Sequence, residues 1–323
     1  MGIAFRIVPE PDERSMPHDH EHAHGHAHTH VAADTFSVAF AVGIALNVGF
    51  VVTETVYGIV SHSMALVADA GHNLSDVLGL ALAWGATVLA RRVPSKRRTY
   101  GFRRSTILAA LVNAATLLLV TGAIVSESAR RFFDPQEVAG KTVIVVALVG
   151  VVVNGGSALL FMKGRKGDLN VRSAFVHLAS DAALAFGVAV AGVVILFTRW
   201  TWLDPLVSIA LSAVILAGTW SLLRGSLNLV LDAVPEGIDP DAVRTYLEAL
   251  PGVIELHDLH IWPMSTTEVA LTAHLVMPTT TCEPRFLAEV CKEIHHRFKI
   301  EHATLQVEAA DAPDCKHAPP ESL

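Results

Sequence analysis

Residues 64–90 read MALVADAGHNLSDVLGLALAWGATVLA, an apolar run broken by His72 and Asp76. Its length exceeds the ~20 residues with which an α-helix crosses a bilayer core. Residues four apart stand one above the other on a helix face, so His72 and Asp76 form a pair. The run at 174–197 repeats the arrangement with His177 and Asp181, again as His-x-x-Ser-Asp. Two such helices brought face to face offer two imidazole nitrogens and two carboxylate oxygens, a donor set that suits tetrahedral Zn²⁺. The two carboxylates also balance the charge of one divalent ion. One histidine in an apolar helix is ordinarily satisfied by its surroundings, and one aspartate by a bond across the bundle. Recurrence of the pair at one spacing in two separate spans favours a metal cage, because ionisable groups at membrane depth need partners.

Four more apolar runs accompany these two, at 36–60, 107–125, 142–162 and 203–223. With 52% hydrophobic and 17% charged residues in 323, the chain is too apolar for an ordinary soluble protein. The expectation is an all-α bundle of six transmembrane helices over 36–228. Asp204-Pro205 reads as the start of the sixth helix, a cap followed by proline at the first helical position. Asn47, Glu54, Asn113 and Asn154 interrupt the apolar runs and are expected to bond across the bundle, with Glu54 also a candidate for lining a pathway.

Cations set the orientation. Seven lie between the second and third spans (Arg91, Arg92, Lys96, Arg97, Arg98, Arg103, Arg104) and four between the fourth and fifth (Lys163, Arg165, Lys166, Arg172). The other side carries Arg130, Arg131, Lys141 and Arg199. The positive-inside rule then places both termini in the cytoplasm. A net charge of -7 without a basic domain argues against nucleic acid as a partner. Cys282, Cys291 and Cys315 form no C-x-x-C and no disulfide framework, which fits a reducing compartment for the C-terminal part.

Residues 1–35 form a polar tail in which histidine takes every second position from His18 to His30. Such a segment buries little and is expected to be disordered without metal, and dense imidazole suits Zn²⁺, Ni²⁺, Co²⁺ or Cu²⁺. After the last span the chain turns polar. Residues 229–310 read helix, strand, strand, helix, strand: 240–250, 253–264, 267–277, 284–298 and 302–308, with a turn at Ser265-Thr266. That order predicts an α+β sandwich with helices on one side of a sheet. His302 and Glu308 share one parity along the third strand. Residues 311–323 are a Pro-containing tail carrying Cys315 and His317.

Taken together, His72-x-x-x-Asp76, His177-x-x-x-Asp181, His257-Asp258-Leu259-His260-Ile261-Trp262 and the strand Thr304-Leu305-Gln306-Val307-Glu308 resemble the cation diffusion facilitator family over residues 36–310. The resemblance implies a six-span exporter that exchanges divalent metal for protons. It also implies a homodimer joined through a metallochaperone-like (ferredoxin-like) cytoplasmic domain. Histidine at position 72 is similar to the zinc-preferring subgroup, with Co²⁺, Ni²⁺ or Cd²⁺ as alternatives. The expected location is the cell membrane, as a multi-pass protein of a bacterial inner membrane. His257 and His274 match strand positions that serve as ligands in relatives, so His257, His274, His302 and Glu308 are candidate ligands of a cytoplasmic-domain metal. Packing or hydrogen bonding of these histidines is the alternative. The loop at 91–104 has neither Asp nor His, so the further metal site that some members hold there is not expected. Four protein ligands leave no position for an activated water, and no His-Glu-x-x-His is present, so an enzyme is not expected. A membrane metal sensor, or a dimer that binds metal without moving it, remains the alternative to a transporter.

Overall fold

The computed structural model describes residues 48–162, 169–278 and 284–310. The His-rich tail, the start of the first span, Lys163, Arg165, Lys166, Cys282, Cys315 and His317 lie outside the described residues.

Six apolar helices come first: α1 (Val48–Val60), α2 (Met64–Ala90), α3 (Ser105–Phe133), α4 (Gly140–Phe161), α5 (Leu169–Thr198) and α6 (Leu203–Val230). Among the described residues, five of them are long and apolar enough to cross a membrane, and α1 is described only from Val48. Trp84, Leu119 and Leu160 point outward from the bundle, as lipid-facing side chains do. Hydropathy undershoots α3, which runs past residue 125 to Phe133. Its last turns are polar, and Glu127 accepts from both Arg130 and Arg131 at 2.8 Å. These i,i+3 and i,i+4 pairs let the helix continue beyond its apolar stretch.

The bundle has an internal seam. α4 packs along α5, where a Cβ on Gly192 would lie 3.0 Å from Ile144 Cγ1, so glycine there lets the two helices approach closely. α3 packs along α6, with Ser128 and Ser208 hydroxyls 2.8 Å apart, and α2 joins that pair. α2 and α5 meet only over a short stretch.

Asp204 departs from the expected role. Helix α6 starts at Leu203, and no side chain caps it. The Asp204 carboxylate, 1% exposed, instead caps α2. It accepts from the Ser63 hydroxyl, from Met64 N–H at 2.6 Å and from Ala65 N–H at 3.4 Å. The first N–H groups of any helix lack an internal partner, and here they find it on another helix.

The polar remainder folds as α7 (Pro240–Glu248), β1 (Glu255–Pro263), β2 (Val269–Met277), α8 (Pro284–Phe298) and β3 (His302–Ala309). Asp239 caps α7 by accepting from Asp241 and Ala242 N–H, with Pro240 in the first turn. The sheet order is β1-β2-β3, antiparallel between β1 and β2 and parallel between β2 and β3. Ser265 Oγ closes the expected turn by accepting from Thr267 and Glu268 N–H. Val243 and Leu247 from α7 and Val290 and Ile294 from α8 share one buried core with Leu271 and Leu275 of β2. Both helices therefore cover the same sheet face, and the opposite face carries the alternate residues Thr272 and His274.

The loop between α2 and α3 reaches this domain. Arg103 pairs with Glu268 at 2.9 Å, Arg104 with Asp232 at 2.7 Å, and Thr266 N–H donates to Thr106 Oγ1 at 3.1 Å.

Candidate metal centre

The predicted quartet comes together where α2 meets α5. His72 Nε2 lies 3.7 Å from Asp76 Oδ2 and 3.5 Å from Asp181 Oδ1. His177 Nε2 lies 3.3 Å from Asp76 Oδ2 and 3.6 Å from Asp181 Oδ2. Each histidine thus faces the aspartate of its own helix and that of the other. An ion with tetrahedral bonds of ~2.0–2.1 Å holds its ligand atoms about 3.3–3.4 Å apart. All four nitrogen–oxygen spacings sit at or slightly above that edge length, but one ligand atom each from Asp76, His177 and Asp181 lies within 4.8 Å of the others, and His72 stands outside that closer group. Burial is uneven: the Asp181 side chain is 5% exposed, while Asp76 is 32% and His177 50%. Asp181 forms the closed back of the cage, and His177 and Asp76 form its accessible side.

Counting apolar residues puts the two pairs at different depths, because the fifth run begins only at residue 174. The helix itself begins at Leu169. His72 follows the start of α2 by eight residues (64 to 72), and His177 follows the start of α5 by eight (169 to 177). Each imidazole therefore lies about 12 Å from its own helix end at 1.5 Å per residue.

The cytoplasmic candidates come together in part. His257 and His274 are direct cross-strand partners in β1 and β2. Glu308 of β3 joins them on the same face. His257 Nε2 is 3.2 Å from Glu308 Oε2, and His274 Nδ1 is 2.9 Å from Glu308 Oε1. One ligand atom from each of the three lies within 4.8 Å of the others. His302 does not belong to this cluster. It starts β3, pairs with Ala270, and packs edge-on against Tyr100 with ring centroids 5.8 Å apart. Shared parity puts His302 and Glu308 on one face, but six residues of strand separate them by about 20 Å.

Asp258 takes a place beside the cluster that strand periodicity does not foresee. A bulge between His257 and His260 puts Asp258 at φ +53°, turning its carboxylate to within 2.9 Å of His260 Nε2 and 3.6 Å of His274 Nε2. The available signal was its position between two histidines, His257-Asp258-x-His260. Asp69, three residues before His72 and 2% exposed, is a second residue that pattern reading passed over.

Apolar helices long enough to cross a membrane, two of which bring two imidazoles and two carboxylates together, joined to an α+β domain, define a multi-pass membrane protein. The comparisons agree. Residues 16–231 match the model of the cation efflux transmembrane domain, and residues 235–310 match that of the cation efflux protein cytoplasmic domain. The chain belongs to the cation efflux, or cation diffusion facilitator, family.

Among its relatives is the metal cation efflux system protein CzcD of Cupriavidus metallidurans, 36% identical over 270 residues, covering 83% of this chain and 85% of the relative. The cadmium, cobalt and zinc/H(+)-K(+) antiporter of Bacillus subtilis is 35% identical over 266 residues, covering 80% and 85%. The zinc transporter ZitB of Escherichia coli is 34% identical over 304 residues, covering 93% and 96%.

Proposed function

We propose that this chain exports divalent metal, Zn²⁺ first, from the cytoplasm in exchange for protons, by alternating access around His72, Asp76, His177 and Asp181. The observation that carries the reading is the set of four nitrogen–oxygen spacings of 3.3–3.7 Å, one within each of α2 and α5 and two between them. Relatives named as zinc transporters, and as a cadmium, cobalt and zinc antiporter, support the substrate class. Cd²⁺ and Co²⁺ are the next cargoes to expect from those names.

The residues divide the work. Metal binding requires neutral imidazole and ionised carboxylate, so protons and metal compete for the same four groups. Unperturbed histidine titrates near ~6.5, within the range of pH differences across a membrane. Deprotonated ligands on the cytoplasmic side load the ion. Protonation on the far side removes both the nitrogen lone pairs and the carboxylate charge, and the ion leaves. The seam between α4–α5 and α2–α3–α6 supplies a place for rocking, because the cage has one aspartate and one histidine on each side of it. Both termini face the cytoplasm in this reading, and two copies pair through the 235–310 domain.

The cytoplasmic cluster is proposed as a separate Zn²⁺ site. His257 Nδ1 is buried without a partner among the described residues, and a half-buried carboxylate stands between two imidazoles. Such a donor set fits a borderline metal. In a full-length H72A/H177A protein, zinc is expected to raise the unfolding midpoint. A further H257A/H274A change is expected to abolish that rise. Metal at 100 times its dissociation constant is worth about 2.7 kcal/mol, enough to read by thermal unfolding. An undiminished rise in the quadruple variant excludes the site.

Zinc uptake into everted membrane vesicles tests the transport reading. With the lumen acidic and the outside at pH 7.5 to 8, uptake is expected to exceed that at equal pH by several-fold, and a protonophore is expected to remove the excess. Zinc that binds in fixed stoichiometry and never accumulates would identify a sensor instead.

A further inference from the structure

Apart from Asp204, which caps α2, Glu54 and Asp69 are the buried carboxyl groups among the described residues that the metal cage does not use. Glu54 in α1 is 0% exposed and Asp69 in α2 is 2% exposed. Glu54 Oε2 accepts from Asn73 Nδ2 at 3.2 Å. Glu54 Oε1 and Asp69 Oδ2 are buried with no hydrogen-bond partner among the described residues, and Asn73, which donates to Glu54, stands one helical turn from Asp69 on the same face of α2. An acceptor facing an acceptor away from water is satisfied only when a cation stands between them. A metal is disfavoured there: no imidazole or thiolate joins the pair, and the neighbouring Asn73 amide presents an N–H rather than an oxygen to Glu54. A proton meets the requirement, converting the contact into a hydrogen bond and removing the like-charge repulsion.

The location gives that proton a use. Asp69 and Asn73 continue the face of α2 that carries Asp76, one helical turn at a time. His72 of α2 and Asp181 of α5 are the charged groups of the cage that bear on Asp69, and Asp69 is the charged group that bears on Glu54. The pair therefore lies beside the cage toward the start of α2, which is the outer end if both termini are cytoplasmic.

We propose that Glu54 and Asp69 form a proton-holding site separate from the metal ligands, loaded from the outer side and supplying the proton that replaces the departing metal. One proton binds the carboxylate pair from outer water, passes inward when the cage empties, and is replaced by another from outside. The proposal rests on the metal–proton exchange reading above.

The test uses the full chain in liposomes, with zinc-sensitive and pH-sensitive dyes in the lumen. Glu54→Gln keeps the size of the side chain and can donate to Asp69 without exchanging a proton. Zinc affinity and zinc–zinc exchange at equal pH are expected to stay within about twofold of wild type. Proton movement coupled to zinc, and the stimulation of flux by a pH gradient, are expected to fall at least tenfold. Asp69→Asn is expected to behave alike, and Glu54→Asp to restore part of the coupling. Should Glu54→Gln not yield folded protein, Asp69→Asn carries the same comparison. Retention of wild-type coupling in both neutral variants overturns the proposal, as does equal loss of exchange and coupled flux, which marks a structural role. A wild-type protein that moves zinc with no proton movement overturns the exchange reading itself, and is distinguishable because it needs no variant.

Discussion

Asp181→Asn is expected to abolish zinc flux and to weaken zinc binding at the intramembrane cage by at least 100-fold. The amide keeps the volume and one oxygen, so packing against α4 has little reason to change. What is lost is charge. The cage then offers one carboxylate to a divalent ion in a site whose back wall admits almost no water. Asp181 is the more buried of the two aspartates, and both imidazoles stand within 3.6 Å of it. Leaving a buried charge uncompensated costs about 3–5 kcal/mol, and each 1.4 kcal/mol is tenfold in affinity. Asp76→Asn is expected to follow the same direction with a smaller loss, because water reaches Asp76. Zinc titration calorimetry in the absence of the cytoplasmic cluster (H257A/H274A), beside vesicle flux, reads both. Wild-type flux in Asp181→Asn would sink the assignment of the cage as the transport site.

The second large effect concerns stability. Asp204→Ala is expected to lower the thermal unfolding midpoint of the detergent-solubilised protein by roughly 10 °C. Removing the carboxylate leaves the Ser63 hydroxyl and Met64 N–H buried without their acceptor, together with the weaker Ala65 contact. Hydrogen bonds to a charged group are worth about 1.5–3 kcal/mol each, and buried donors left unpaired carry their full desolvation cost. Ser63→Ala removes the donor to Asp204 and the oxygen that accepts from Leu66 N–H, but leaves the Met64 N–H bond to Asp204 in place, and is expected to cost less. The ratio between the two variants separates a clasp between helices from simple polarity at the bundle end. Equal midpoints for Asp204→Ala and wild type would show that these bonds contribute nothing net.

The cage was legible in the sequence because both of its halves are local. A spacing of four on a helix is a statement about one turn, and an apolar surround makes the helix itself easy to read. Its depth was less legible. Hydropathy marks where apolar residues begin, whereas α5 begins five residues earlier, through a segment containing Asn170 and Arg172. Asp204 failed as a local cap for a related reason. Capping rules look one turn ahead, and its partners are 139 to 141 residues away in the chain. In the cytoplasmic domain, strand parity gave the correct face for His302 but not its place along the strand. Asp258 escaped because a bulge breaks the period of two on which parity depends. The Glu54–Asp69 contact joins two helices, and no single-helix pattern contains it.

The position of the cage inside membrane-spanning helices has an electrical consequence. An ion held within a membrane core of ~30 Å has part of the voltage drop on either side of it. One elementary charge crossing 100 mV exchanges about 2.3 kcal/mol, so a doubly charged ion crossing the whole field exchanges about twice that amount. Loading and release therefore each carry a share of the work done against the membrane voltage. Neither half of the cycle is shielded from it, and a step in potential is expected to change the rates of both.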